Sequence, residues 1–248
     1  MEPKSSKIIL SKEKDFYLNC NLLQTSTEGR LIAINEKNLA LANKSSGQIN
    51  IVDSNSKERL KKENLISIDN KRILDMEFSP FDNNILAYVN ENNSVIISKF
   101  VEEKERITSS FDEFKSQKKR LNFVNFNPVA SNIMCSGTIF GHIDIWDSTN
   151  LKVIYRETPK LSNNLMFLLW SPNGNSIGST TFRKSFFNIF DIRENKYIIQ
   201  NQIDKFSESR KIYFNWIDDT NIVALSHNDK KKRIMILFDI GSKLKVKR

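Results

Sequence analysis

Histidine and cysteine are almost missing from this chain, at two residues each in 248. No HxH, HExxH or CxxC spacing occurs, so nothing marks a transition-metal site. Neither glycine-rich phosphate-loop pattern, G-x-x-x-x-G-K-[ST] or G-x-G-x-x-G, is present. Carboxylate pairs such as Asp218-Asp219 and Glu102-Glu103 fall in turn-like or loop-like stretches and read as solvated faces. These gaps argue against catalysis, and the expectation is a protein that is no enzyme and carries no cofactor or metal. Cys20 and Cys135 lie far apart on expected strands and read as buried, inert thiols. Long apolar runs are lacking too. None approaches the ~18 residues of a spanning helix, and the opening MEPKSSKIILSKEKDF has no apolar core of a secretory signal. A cytosolic location is expected.

Glycine is scarce at 7 residues, which is few for a chain built of turns. Asparagine takes turn positions instead, as in Asn83-Asn84, Asn92-Asn93 and Asn163-Asn164, because it tolerates the left-handed conformation better than other side chains. Hydrophobic content is sufficient for a core at 39%, with 17 Phe, which excludes wholesale disorder. Basic residues exceed acidic ones by 38 to 29, a net charge of +9, and that balance favours acidic partners. The excess gathers in residues 56–64, 116–120, 229–233 and 243–248. Solvated loops are the plain reading of all four. The stretch DKKKR at 229–233 stands where a two-strand turn is expected, so it would project at a rim.

Five alternating strands end at nearly the same point of a repeating unit: INIVD, SVIISKF, HIDIWD, FFNIFD and IMILFD. Their anchors are Val52, Ser98, Trp146, Phe190 and Phe238, so the steps are 46, 48, 44 and 48 residues. A second landmark keeps the same step at Phe78, Phe126, Trp170 and Trp216. Pro80, Pro128 and Pro172 each stand two residues after such a landmark; proline cannot donate into a ladder, so it stops the strand there. A period of about 40–50 residues with four short strands per period is the signature of a β-propeller. In the third unit LNFVNF (121–126) is expected as the innermost strand, followed by strands at 131–137, 142–147 and 151–157. The expectation is an all-β propeller of five four-stranded blades, at about 29–60, 72–112, 120–158, 164–202 and 210–248. A tail at 1–15 would precede a single domain over 16–248. Trp146, Trp170 and Trp216 read as core.

Trp146-Asp147, with Phe190-Asp191 and Phe238-Asp239 as variants, resembles the WD-repeat signature, and these six residues are the expected blade anchors. ILDMEFSPFDNNILAYVNENNSVIIS (73–98) is similar to a coronin repeat. So is SPNGNSIGSTTFRKSFFNIFDIRENKYI (171–198), whose Asp191-Ile192-Arg193 stands where coronins carry Asp-x-Arg. GRLIAINEKNLALANKSSGQINIVD (29–53) resembles the first coronin blade, and blade order agrees over about 16–240. The resemblance implies a seven-bladed propeller that binds filamentous actin in the cytoskeleton. The chain departs from it in showing five units, no coiled-coil heptads, and Asn21 and Gln24 where coronins have basic residues before the first blade. The Asp often found in the turn between second and third strands is replaced by Asn92, Phe140 and Lys184, so the blades are expected to rely on apolar stacking.

Three functions follow as alternatives. One is actin-filament binding, carried by Lys12, Lys14 and Arg30 around the first blade and Lys230, Lys231, Lys232 and Arg233 in the fifth-blade turn. Another is a scaffold that docks other proteins on its rims without binding actin. The third is an anionic membrane surface; nucleic acid is disfavoured because the basic clusters contain no aromatics. The ring is expected either to close with five blades or to remain an open arc. An open arc would leave Leu39, Leu41, Ile236 and Phe238 partly uncovered, and the segment 16–23 would pair near the fifth blade only on closure.

Overall fold

Alternating segments become strands, and the strands collect in chain order into five antiparallel sheets of four. The computed structural model describes residues 29–43, 47–54, 65–67, 71–103, 106–116, 120–157, 164–182, 186–208, 210–241 and 245–246. The expected N-terminal strand at 16–23, together with Lys12, Lys14 and Cys20, lies outside the described residues.

The first sheet is β1 (Ile32–Ile34), β2 (Asn38–Ala42), β3 (Gln48–Asp53) and β4 (Leu65–Ser67). The second is β5 (Ile73–Phe78), β6 (Ile85–Asn90), β7 (Ser94–Glu103) and β8 (Arg106–Lys115). The third is β9 (Leu121–Phe126), β10 (Ile133–Thr138), β11 (Ile143–Asp147) and β12 (Lys152–Glu157). The fourth is β13 (Leu165–Trp170), β14 (Ser176–Thr181), β15 (Phe186–Asp191) and β16 (Lys196–Gln202). The fifth is β17 (Tyr213–Trp216), β18 (Asn221–His227), β19 (Arg233–Asp239) and β20 (Lys245–Val246). Two limits differ from the expected blades. The last strand of the first sheet falls beyond residue 60, after a run of charge that gives no strand pattern, and the β7–β8 hairpin is ten residues on each side, reaching residue 115.

First strands of successive sheets lie against one another, β1 on β5, β5 on β9, β9 on β13 and β13 on β17, as inner strands of a propeller must. All six residues of β9 are buried. The turn after each inner strand repeats one device. Ser79, Asn127 and Ser171 donate their N–H to the carbonyls of Ile85, Ile133 and Ser176 at 2.8–2.9 Å, spanning the turn that contains the proline. Asn35 and Asp218 cap the equivalent turns of the first and fifth sheets by accepting backbone N–H groups through their side chains. Asparagine also joins sheets at this rim: Asn38 Nδ2 donates to Asn83 O (2.9 Å) and Asn127 Nδ2 to Gly174 O (2.8 Å).

The anchors sit between sheets. Trp146 is buried, its indole N–H donates to Ser136 Oγ at 2.9 Å, and its ring meets Phe114 of the second sheet edge-on at 4.1 Å. Phe190 stacks on Tyr155 of the third sheet at 5.5 Å. Phe238 is buried in the core shared by the fourth and fifth sheets. Asp147 and Asp191 close the next turn by accepting the N–H groups of Thr149 (2.9 Å) and Glu194 (3.0 Å). Asp239 ends β19 at the same place. Trp170 is buried and Trp216 half-buried against the fourth sheet, so the tryptophans are core. Cys135 is buried, and burial pushes its thiol well up, away from reactivity.

The expected reliance on apolar stacking holds at one seam and is joined by charge at another. Between the fourth and fifth sheets Phe167, Phe187, Phe214 and Trp216 form an aromatic cluster with centroids 4.8–6.5 Å apart. Between the second and third sheets, buried Asp75 and half-buried Glu77 add charge to an apolar cluster that includes Val89, Val124, Phe126 and Trp146. The carboxylates accept the N–H groups of Val124 (2.8 Å) and Phe126 (2.6 Å).

Leu39, Leu41, Ile236 and Phe238 are all buried, which corrects the residues expected to be uncovered in an open arc. Register explains it in the fifth sheet. Phe238 pairs with Ile222 and Ile236 with Ala224, on the face turned to the fourth sheet, whereas the opposite face carries Leu225 paired with Met235. Met235 is 71% exposed and Leu225 is 47% exposed.

Candidate functional site

The stretch Asn228–Lys232 joins β18 to β19, whose ends pair at His227 and Arg233. Asn228 organises it. Its N–H donates to Lys232 O, its carbonyl accepts Lys231 N–H, and its side chain accepts Lys232 N–H, each at 2.9 Å. The same five-residue turn joins the second and third strands of two other sheets. Asn90 caps Asn92 and Ser94 in one, and Thr138 caps His142 in the other. The fourth position is left-handed in all three, at Asn93 (φ 62), Gly141 (φ 90) and Lys231 (φ 59). Asparagine and glycine suit that conformation; lysine in it costs on the order of 1–2 kcal/mol. Lys230, Lys231, Lys232 and Arg233 are exposed and make no ion pair among the described residues. Asp229 in the same turn is exposed as well.

Antiparallel order places these turns and the sheet-to-sheet connections at one end of the strands. That rim carries further basic residues which the sequence reading did not select. Arg120 is exposed, lies over the Phe140 ring at 5.8 Å, and donates its N–H to Asn93 Oδ1. Arg210 is exposed beside the start of β17. Both stand just before an inner strand, and that recurring position was the available signal.

Arg30 is placed differently from expectation. It does not project from the rim. Its Nε and Nη2 donate to the two oxygens of Asp75 (3.0 and 3.1 Å), Nη1 to Glu77 Oε1 (2.7 Å) and Nη2 also to Val124 O (2.5 Å). Burial opposes the guanidinium charge, but the two carboxylates outweigh it and raise its pKa. Burial pushes the Glu77 carboxyl up, partly offset by Arg30 and the Phe126 N–H. This cation is consumed in tying the first three sheets together. Of the seven expected basic contacts, the structure therefore gathers Lys230, Lys231, Lys232 and Arg233 into one exposed patch and separates Arg30 from it. Lys12 and Lys14 lie outside the described residues.

Among the described residues, no group of three or more His, Cys, Asp or Glu side chains could hold a metal ion. No helix is long and apolar enough to cross a membrane.

Sheets stacked in this order, with inner strands adjacent and Trp-Asp or Phe-Asp ends on third strands, define a WD40-type β-propeller fold. Solved structures share it, two of which illustrate the likeness. The WD40 domain of Toxoplasma gondii coronin superposes with a TM-score of 0.78 at 24% identity, over 92% of this chain and 60% of that one. Kluyveromyces lactis Hsv2 does so with a TM-score of 0.67 at 14% identity, over 90% of this chain and 73% of that one. This chain thus spans less than two thirds of the coronin domain it matches. No protein-family model and no curated protein matches the sequence.

Proposed function

We propose that this chain is a WD-repeat interaction module whose basic turn at Lys230–Arg233 binds an acidic protein surface, and that this surface is the actin filament of the cytoplasmic cytoskeleton. The observation that carries the reading is Lys231. A charged side chain occupies a left-handed position where the second and third sheets have Asn93 and Gly141, and strain held in an exposed turn points to function rather than packing. The coronin-like repeats and the likeness in fold to a coronin WD40 domain favour actin among acidic partners. Each exposed ion pair is worth only ~0–1 kcal/mol, so the four cations must act together.

A second reading, a WD-repeat scaffold that does not bind actin, is favoured by Arg30, whose charge is spent on Asp75 and Glu77. Co-sedimentation with actin filaments separates the two. The variant carrying K230E, K231E, K232E and R233E is expected to stay in the supernatant, with an unchanged circular dichroism spectrum, while the parent chain pellets. Equal pelleting of both proteins would remove this turn from the contact; no pelleting of the parent would leave the scaffold reading.

A further inference from the structure

Two cations on the rim that carries the Asn228–Lys232 turn sit in a backbone conformation that an L-residue adopts only at a cost. Lys231 (φ 59) is one, and Arg120 (φ 62), just ahead of the inner strand β9, is the other. Among the described residues five non-glycine positions have a positive φ, and these two are the charged ones; Asn93, Leu151 and Asn195 are the rest. Arg120 is held from both sides. Asn93 Oδ1, in the β6–β7 turn, accepts the N–H groups of Arg120 and Leu121. Arg120 O accepts the Ile139 N–H at 3.0 Å, and Ile139 O accepts the Leu165 N–H at 2.9 Å. A run of hydrogen bonds thus crosses the rim from the second sheet to the fourth and pins the Arg120 backbone on its way.

The pinned backbone sets Arg120 over Phe140. Phe140 holds the third position of the β10–β11 turn, where the second sheet has Asn92 and the fifth has Lys230. It is 40% exposed and belongs to none of the four buried apolar clusters. The Arg120 guanidinium lies 5.8 Å from the centre of its ring. Arg120 is itself exposed and makes no ion pair among the described residues. A guanidinium that stacks on a ring by one face keeps its N–H fork for a carboxylate, and the exposed part of the ring offers apolar area beside it. Placing both groups beforehand removes the ordering cost that a flexible surface arginine would meet on binding.

We propose that Arg120 and Phe140 form a second contact point on this rim, which takes a carboxylate side chain of the acidic partner together with an apolar side chain next to it. This rests on the reading of the rim as the contact with an acidic protein surface, and it divides the work. Lys230–Arg233 supply charge that attracts the partner, while Phe140 supplies contact area that salt does not screen. Arginine and aromatic residues are the side chains that most often carry binding energy in an interface.

Co-sedimentation with actin filaments across a salt series, with thermal melts, is run for the parent chain, Phe140→Ala and Arg120→Lys. Phe140→Ala is expected to bind about tenfold more weakly, the loss typical of an interface anchor, with the parent's dependence on salt, since no charge is removed. Arg120→Lys keeps the charge but not the planar fork and is expected to lose about fivefold. Both melts are expected to match the parent's, because neither side chain is in the core. Parent-like binding by either variant would overturn the proposal and leave the basic-turn contact standing. Weaker binding with a lowered melting temperature would overturn it too, by showing that the pair acts through the fold. A parent chain that does not pellet at the lowest salt would overturn it together with the reading on which it rests.

Discussion

Two seams of this propeller put different chemistry at the same repeat positions. Asp75 and Glu77 of β5 correspond to Phe167 and Leu169 of β13, counted back from the landmarks Phe78 and Trp170. The second sheet therefore faces the third with two carboxylates, which hold Arg30 and accept the N–H groups of Val124 and Phe126. The fourth sheet faces the fifth with rings that pack edge-on. Both seams keep an apolar cluster, so the repeat fixes where an inner-strand side chain points and leaves open whether charge or a ring fills those two positions. Buried charge is a demanding solution, because each member depends on the others for its partners.

Deleting one member of each seam should expose that difference. Phe214→Ala empties the aromatic seam, at about 3–5 kcal/mol. Asp75→Ala leaves Arg30 paired with Glu77 alone and the buried Val124 N–H without its acceptor, at a cost of about 1–3 kcal/mol. Urea unfolding at two salt concentrations distinguishes them. The cost of Asp75→Ala should shift with salt while that of Phe214→Ala stays constant, and equal behaviour would dissolve the contrast.

Glu77 sharpens the comparison at lower magnitude. Its folded pKa is raised by burial, so the native state holds the proton longer than the unfolded chain does. Stability contributed at this site is therefore full below the unfolded value of about 4.3 and falls as pH rises through the folded value. Replacing Glu77 by Gln removes that titration but keeps an acceptor for the Phe126 N–H. The parent's margin over Glu77→Gln should shrink between about pH 4 and pH 7 in denaturant melts. A margin that grows with pH would show that the Arg30 pairing, not burial, governs Glu77.

The smallest expected effect lies on the rim. Lys231→Asn places a residue tolerant of φ 59 in the turn and should stabilise the fold by about 1 kcal/mol while weakening filament binding. Thermal melts and co-sedimentation of the same variant read both halves. Stabilisation without lost binding would mean that the lysine at this position is unrelated to the partner.

The repeat was legible because its signals are local: an aromatic-Asp strand end, an alternating inner strand and a proline two residues later. The first sheet's last strand was not, since the preceding residues 55–64 form a charged run with no alternation. Arg30 was misplaced because its partners lie 45 and 47 residues away. A signal did exist in ILDMEF, where Asp75 and Glu77 alternate with Met76 and Phe78 on one inner strand and so require a cation within the seam. The free face of the fifth sheet was misread by one residue of phase. Choosing Ile236 and Phe238 over Met235 and Leu237 inverts every side chain of a strand. The DKKKR turn was legible by position, but its left-handed lysine needed the backbone.

Co-sedimentation of the unmodified chain with actin filaments across a salt series tests the functional claim most directly. Binding carried by a basic rim should be strong at low ionic strength and fall steeply as the Debye length shortens to about 8 Å near physiological salt. Binding that persists unchanged through high salt would contradict the electrostatic contact, and absence of binding at the lowest salt would contradict the actin partner itself.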